Sequence, residues 1–281
     1  MTTVSKVELG GRVFRAEVLS LPAPSKDQDA WRIGDDFVAV ADGATPLDDQ
    51  PAPAVREYAA AALNALEARR TETAEGMVRG AVDATRQMAV RHVPPLSCTV
   101  ALARTVADGI QIVVLGDCIA VVADAQGRRR TIRDPRLTHV DGGVVDKLTS
   151  LTLEGMPFDE ASRAISGDLV ENRMRMNRRD SYWSFSSAAE AGKHILRRVR
   201  GSRSISAMLL CSDGFARLAD TYRVTAGTAG LLELCETKGL ATLGRELRAI
   251  EGEPDSLTRY PRFSRHDDAT AVLLTADGKS G

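Results

Sequence analysis

The sequence contains no run of about 18 apolar residues, the length that a membrane-spanning helix requires. Its N-terminal residues include no apolar segment of the kind that a secretory signal needs. These absences predict a cytoplasmic protein with no membrane partner. Aromatic residues are scarce at 4%, and the net charge is only −1. Neither a base-stacking surface nor a bulk attraction to nucleic acid is therefore indicated.

The chain also lacks the cysteine and histidine patterns of a zinc site. Its histidines are scattered without HExxH spacing, and its cysteines form no CxxC pair. Three of the cysteines lie in apolar runs, which predicts buried, reduced thiols. The cysteines are Cys98, Cys118, Cys211 and Cys235.

What the sequence does contain is three apolar runs that each adjoin an aspartate. Residues 37–41 form the first run, which leads directly into Asp42-Gly43. A second run covers residues 205–211 and is followed closely by Asp213-Gly214, while Asp267 precedes a third run near the C-terminus. Unbroken apolar runs of this length are typical of strands buried on both faces. A glycine after the acidic residue allows the backbone to approach a ligand closely.

These three carboxylates could converge on one hard cation or on two. A carboxylate beside apolar strands is costly to bury, and coordination of a cation offsets that cost. Each Asp-Gly pair taken alone is equally typical of a turn. The recurrence of the same arrangement at three strand ends favours the metal site over three unrelated turns.

The remaining pattern predicts pairs of helices between blocks of strands. Apolar residues at helical spacing cover residues 53–70, 72–92 and 188–199. Short strands with tight turns occupy residues 97–123, and we expect these strands to be antiparallel neighbours. Asp117 lies at one of the turns and is a fourth candidate ligand. Residues 128–180 are polar and arginine-rich, and we expect an insertion that caps one end of the sheet.

These elements predict an α+β fold in which two packed antiparallel β-sheets are flanked by pairs of α-helices. The arrangement is a four-layer αββα sandwich, and we expect one domain over residues 1–281.

Five short motifs follow one another along nearly the whole chain: Asp42-Gly43, Ser97-Cys98-Thr99, Gly116-Asp117, Ser212-Asp213-Gly214 and Asp267-Asp268-Ala269-Thr270. Their order resembles that of the metal-dependent protein phosphatases of the PPM, or phosphatase 2C, type. Each motif alone is weak, but five in the family's order form a specific signal. The chain is similar to a divergent, bacterial-like member of that family.

The resemblance implies a role for each matching residue. Asp42 would bridge two divalent cations, Mn²⁺ or Mg²⁺, and the carbonyl of Gly43 would contact the second. Asp213 and Asp267 would hold the first cation, and Asp117 would help to hold a weaker third. Asp42, Asp213 and Asp267 would thus act in catalysis through a metal-held water, which attacks phosphorus directly without a phosphoenzyme.

The chain departs from the family pattern at several positions. The family's acidic motif before its first core strand aligns with residues 27–29, so its glutamate falls on the neutral Gln28. Asp29 is then expected to supply the remaining acidic contribution. The family's phosphate-binding arginine aligns with Pro24, and Lys26 and Arg32 are the candidate substitutes.

The resemblance implies a Mn²⁺- or Mg²⁺-dependent hydrolase, a protein-serine/threonine phosphatase. Its partners would be phosphorylated proteins, such as the targets of a cognate kinase. An alternative is a catalytically weak regulatory or binding module, because several family positions are lost. A third reading is an α/β protein whose aspartates are only turn residues, and it predicts no metal affinity.

Overall fold

The computed structural model describes residues 2–24, 26–45 and 52–276, without the side chains of residues 52 and 53. These residues form two antiparallel sheets with helices on their outer faces, so the predicted fold class is confirmed.

The first sheet has six strands in the order β1-β2-β11-β10-β7-β8. Its strands are β1 (Thr2–Leu9), β2 (Arg12–Leu21), β7 (Ile119–Asp124), β8 (Arg129–Ile132), β10 (Ile205–Cys211) and β11 (Ala269–Ala276). The second sheet has five strands in the order β3-β4-β5-β6-β9. Its strands are β3 (Ala30–Ile33), β4 (Phe37–Gly43), β5 (Cys98–Val106), β6 (Gly109–Leu115) and β9 (Leu196–Arg200).

Nine α-helices occur within the described residues. They are α1 (Ala52–Glu67), α2 (Ala74–Ala89), α3 (Arg136–Leu153), α4 (Phe158–Ala164), α5 (Ser166–Met174), α6 (Asp213–Asp220), α7 (Thr228–Lys238), α8 (Leu240–Gly252) and α9 (Ser256–Arg259). None of these helices is both long enough and apolar enough to cross a membrane.

Three apolar cores hold the four layers together. One core lies between the two sheets, a second joins α1 and α2 to the second sheet, and a third joins α6, α7 and α8 to the first sheet. Strand β4 contributes to two of these cores. Phe37, Ala39 and Ala41 face the helices, while Val38 and Val40 face the other sheet. Burial on both faces explains why this strand is an unbroken apolar run.

The expected meander over residues 97–123 is wrong at its second turn. Strands β5 and β6 are antiparallel neighbours, but β7 pairs with β10 and β8 in the other sheet. The crossing occurs at Gly116, which has a φ of +80°. A Cβ at this position would lie 2.3 Å from Cγ2 of Thr99, so glycine satisfies both the conformation and the close approach. The crossing carries Asp117 to the boundary between the two sheets.

The helix expected over residues 188–199 is also wrong. A 3₁₀ helix covers Ala189–His194, and residues Leu196–Arg200 form β9. Strand β9 pairs with β6, whose backbone would otherwise be left unpaired on that side. Long-range pairing has therefore overridden local helix propensity.

Residues 128–180 contain more structure than the sequence suggested. They begin with β8, which is part of the first sheet, and continue into α3, which the sequence analysis did not predict. Helices α4 and α5 follow, and apolar residues recur at helical spacing through them. A small separate apolar cluster, formed by Val144, Leu148, Ala161 and Ile165, holds this region together. Its description as a capping insertion, and the single domain over residues 1–281, stay predictions.

Candidate metal centre

A cleft of about 420 Å³ lies where β4, β10 and β11 approach one another. Asp42 lies at the end of β4, Asp213 follows β10, and Asp267 precedes β11. Asp117 reaches the same cleft through the crossing between the sheets. The fold therefore brings together the aspartates that the sequence placed at separate strand ends. The lining aspartates are Asp42, Asp117, Asp141, Asp213 and Asp267.

Asp42 and Asp213 meet directly at the floor of the cleft. The backbone N–H of Asp213 donates to Oδ2 of Asp42 at 3.3 Å. Gly43 also lines the cleft, and a Cβ there would lie 2.5 Å from the carbonyl oxygen of Gln28. Glycine is therefore needed for the strand end to pack this closely against the preceding loop.

Asp29 is buried behind the cleft. Its side chain is 3% exposed, and neither carboxylate oxygen accepts a hydrogen bond of normal geometry from the residues that the structure describes. Burial raises the pKa of Asp29 well above its usual value, and the charge of Asp268 raises it further. The hydroxyl groups of Ser212 and Thr270 lie near enough to lower this pKa in part. Buried polar atoms are nearly always paired, so an unpaired carboxylate that faces other carboxylates indicates a place for a cation or its water.

The pKa values of the neighbouring aspartates are raised for the same reasons. Burial and the charges of Asp29 and Asp213 raise the pKa of Asp42. Burial and the charge of Asp213 raise the pKa of Asp117 to about 7. Desolvation by the surrounding protein and the charge of Asp267 both raise the pKa of Asp213. Its side chain is nevertheless exposed to the open cleft. Several carboxylates compete to be ionised in one place, and a cation would relieve this competition.

Asp268 fixes the loop that precedes the first core strand. Its two oxygens accept the backbone N–H groups of Ala23 at 2.7 Å and Gln28 at 2.8 Å. Gly214 permits this arrangement, because a Cβ there would lie 1.9 Å from the carbonyl oxygen of Asp268. The N-terminus of α6 and the start of β11 are thus held in contact at the cleft.

Two basic side chains lie close to Asp267. Arg217 on α6 forms a close ion pair with it through Nη2 and Oδ2, and Nζ of Lys26 lies 3.7 Å from Oδ1. The side chain of Arg217 is only 11% exposed, and its Nη1 also lies 3.7 Å from the fully buried Glu251. Sequence reasoning missed Arg217, although it follows Asp213 by four residues, a spacing that places two side chains on one face of a helix.

Of the two phosphate-binding candidates from the sequence, Lys26 lines the cleft and Arg32 does not. Lys26 lines the cleft and donates to Oγ1 of Thr45 at 3.0 Å. Arg32 does not reach the cleft, because its Nε pairs with Glu67 on α1 at 2.5 Å. Arg173 on α5 does line the cleft, and its Nη2 donates to the carbonyl oxygen of Thr45 at 3.4 Å. It was missed because the composition of an arginine-rich segment does not indicate which of its side chains reach the cleft.

The side-chain amide of Gln28 is buried and already hydrogen-bonded. The side chain is 2% exposed, and its Oε1 accepts a hydrogen bond from Oγ1 of Thr45 at 3.2 Å. The neutral residue in the family's glutamate position is therefore engaged in holding the loop after Asp42.

In the described part of the chain, no three acidic, histidine or cysteine side chains are close enough to form a closed metal cage. The donor set still fits Mn²⁺ or Mg²⁺, which prefer carboxylate, carbonyl and water oxygens. The unpaired oxygens of Asp29 are the observation that supports this fit.

The fold and the cleft define an α+β sandwich protein with an acidic site at converging strand ends. Residues 23–249 match the family model for protein phosphatase 2C, and the chain belongs to that family. The predicted family resemblance is therefore confirmed.

Several solved bacterial structures share this fold. The serine/threonine phosphatase PstP/Ppp of Mycobacterium tuberculosis superposes with a TM-score of 0.54 at 14% identity, covering 94% of this chain and 99% of its own. The catalytic domain of PstP in complex with two manganese ions gives 0.53 at 15% identity, with coverages of 94% and 99%. RsbX in complex with magnesium gives 0.53 at 12% identity, with coverages of 99% and 100%. No curated protein sequence matches the chain.

Proposed function

We propose that the protein is a metal-dependent phosphomonoesterase that acts on phosphoserine and phosphothreonine in proteins. The observation that carries the proposal is the single cleft lined by Asp42, Asp117, Asp213 and Asp267, with Asp29 buried behind it. Membership of the protein phosphatase 2C family supports it. The metal complexes of PstP and RsbX support the choice of manganese or magnesium.

Asp42, Asp213 and Asp267 would hold two cations, with Gly43 contributing its carbonyl oxygen. When bound, these cations would activate a water for attack on phosphorus and offset negative charge on the phosphoryl oxygens. Asp29 would accept hydrogen bonds from coordinated water through the oxygens that now have no partner. Asp117, which lines the same cleft, would help to hold a weaker third cation.

Two basic side chains can orient the substrate. Lys26 and Arg173 both line the cleft and both donate to Thr45. Nζ of Lys26 also lies 3.7 Å from Oδ1 of Asp267, which is beyond hydrogen-bond distance. Ammonium and guanidinium groups bind phosphate through charge-assisted hydrogen bonds. We infer that Arg173 replaces the missing family arginine, with Lys26 as its partner.

No cysteine is needed as a nucleophile. Cys211 is fully buried in β10, and burial raises its pKa well above the usual value. A thiol kept protonated and away from the cleft is a poor nucleophile. This arrangement supports direct attack by water.

Hydrolysis of phosphoserine and phosphothreonine peptides with added Mn²⁺ tests the proposal. Asp42→Asn should lower the rate by about a hundredfold or more, because it removes the carboxylate at the centre of the cluster. Cys211→Ala should retain the rate. Turnover that persists in EDTA, or in Asp42→Asn, would refute the proposed chemistry.

A second candidate function is a phosphate-recognising module with little turnover. The Arg217–Asp267 ion pair favours it, because a fixed guanidinium already neutralises one proposed ligand. Calorimetric titration with Mn²⁺ separates the two candidates. Two cations per chain support the enzyme, and one or none supports the binding module.

A further inference from the structure

A second cavity, of about 400 Å³, opens between β8 and β9, the edge strands of the two sheets. Apolar side chains form its floor, among them Ile112, Val122 and Ile205. Arginines form its walls: Arg128, Arg130, Arg198 and Arg200. An apolar floor with a few convergent charged groups is the usual construction of a small-molecule site.

The strand register places three of these arginines on the sheet faces that border the gap, where Arg200 is partly buried and Arg130 and Arg198 remain exposed at its mouth. Arg198 and Arg200 lie opposite Ile112 and Ile110 of β6, which belong to the core between the sheets. Directly opposed residues in an antiparallel pair share one face. Arg130 likewise lies opposite Val122, which belongs to the same core. The positive charge of the cavity is therefore built into the pairing of both edge strands.

These three arginines have no carboxylate partner among the described residues. Arg198 and Arg200 donate only to backbone carbonyls of their own strand, at 2.8 and 2.9 Å. Asp124 is the one acidic residue lining the cavity, and it pairs with Arg128 at 2.7 Å. The cavity thus retains an excess of positive charge.

The cavity lies at the opposite end of the sheet from the metal centre. Strand β7 begins next to Asp117 and ends at Asp124, and β10 runs from Ile205, on the cavity wall, toward Asp213. A ligand in this cavity would therefore not contact the aspartates of the cleft.

We propose that this cavity binds a small phosphorylated molecule carrying at least two negative charges. Guanidinium groups that converge without carboxylates match phosphate oxygens in charge and in hydrogen-bond geometry. Inward-pointing charges on edge strands also protect sheets from aggregation. That role explains a charge on each edge, but it predicts no affinity for anions.

Calorimetric titration of pyrophosphate into the EDTA-treated full chain tests the proposal. We expect one pyrophosphate per chain, with an affinity that weakens as salt is added. Arg198→Gln and Arg200→Gln should each weaken binding by about tenfold, and the triple variant with Arg130→Gln should abolish it. The single variants keep the test valid if the triple variant folds poorly.

Arg197→Gln is the matched control. Arg197 lies on the same strand but opposite Val113, on the other face of the sheet. This variant should bind pyrophosphate like the wild type, and so should Asp42→Asn, since the cavity is independent of the proposed phosphatase site. No binding to the wild type, or equal losses for Arg197→Gln and Arg198→Gln, would overturn the proposal.

Discussion

Replacement of Gly214 by alanine tests how tightly the metal centre is built. Gly214 lies in the first turn of α6, and its Cβ would lie 1.9 Å from the carbonyl oxygen of Asp268 and 3.2 Å from Cβ of Asp267. The carbonyl oxygen is backbone and cannot rotate away. The start of β11 must move by about 1 Å or more before the methyl group fits.

The expected cost follows from two opposing effects. Alanine in place of glycine favours a helix by about 1 kcal/mol. Overpacking against rigid neighbours costs about 1–3 kcal/mol, and more when the backbone must shift. We therefore expect Gly214→Ala to lower the free energy of unfolding by about 2 kcal/mol and to weaken Mn²⁺ binding, because the shift displaces Asp267.

Gly143→Ala is the matched control for this prediction. Gly143 lies within α3, and a Cβ there would meet no atom within 4 Å. This variant should gain about 1 kcal/mol by helix propensity alone. Urea unfolding of metal-free protein and calorimetry with Mn²⁺ measure both effects. Equal stability and equal Mn²⁺ affinity of Gly214→Ala and the wild type would refute the close packing described here.

Other changes at the cleft give further expectations. Asp29→Asn should stabilise the metal-free protein by about 1–2 kcal/mol in urea unfolding at neutral pH, because burial makes ionisation of Asp29 unfavourable, yet weaken Mn²⁺ binding. Arg217→Gln should tighten Mn²⁺ binding by about tenfold in calorimetry, since it frees Asp267; weaker binding would contradict this reasoning. The folded-state pKa of Asp117 is raised to about 7. Between about pH 4 and about pH 7, Asp117 is therefore protonated in the folded protein but ionised in the unfolded chain. Stability of the metal-free protein should then fall as the pH rises from about 4 to about 7, while Mn²⁺ affinity rises. Arg32→Gln should leave phosphopeptide turnover unchanged, and a large loss would place Arg32 at the substrate.

The sequence was sufficient to predict the layers of the fold and the placement of Asp42 and Asp213 at strand ends, because both depend on local patterns. Their role as metal ligands stays a prediction. Apolar runs of strand length end at Asp42 and Asp213, and each run is buried as its composition requires. The two helices before β5 follow from apolar spacing alone. These features depend on which faces of an element are buried, and composition reports that directly.

Features set by long-range pairing could not be predicted in this way. Leu196–Arg200 has a composition that suits a helix as well as a strand, and only the open edge of β6 decides between them. The turn at Gly116 resembles an ordinary hairpin, but it crosses between the sheets. The inward turn of Arg173 and the pairing of Arg217 with Asp267 depend on segments far apart in the chain.

The central claim is that distant segments gather their carboxylates around shared cations. Anomalous diffraction at the manganese edge, from crystals grown with Mn²⁺, tests this claim most directly. We predict two manganese peaks in the cleft, bonded to oxygens of Asp42, Asp213 and Asp267. A cleft without any manganese peak at saturating Mn²⁺ would contradict the account.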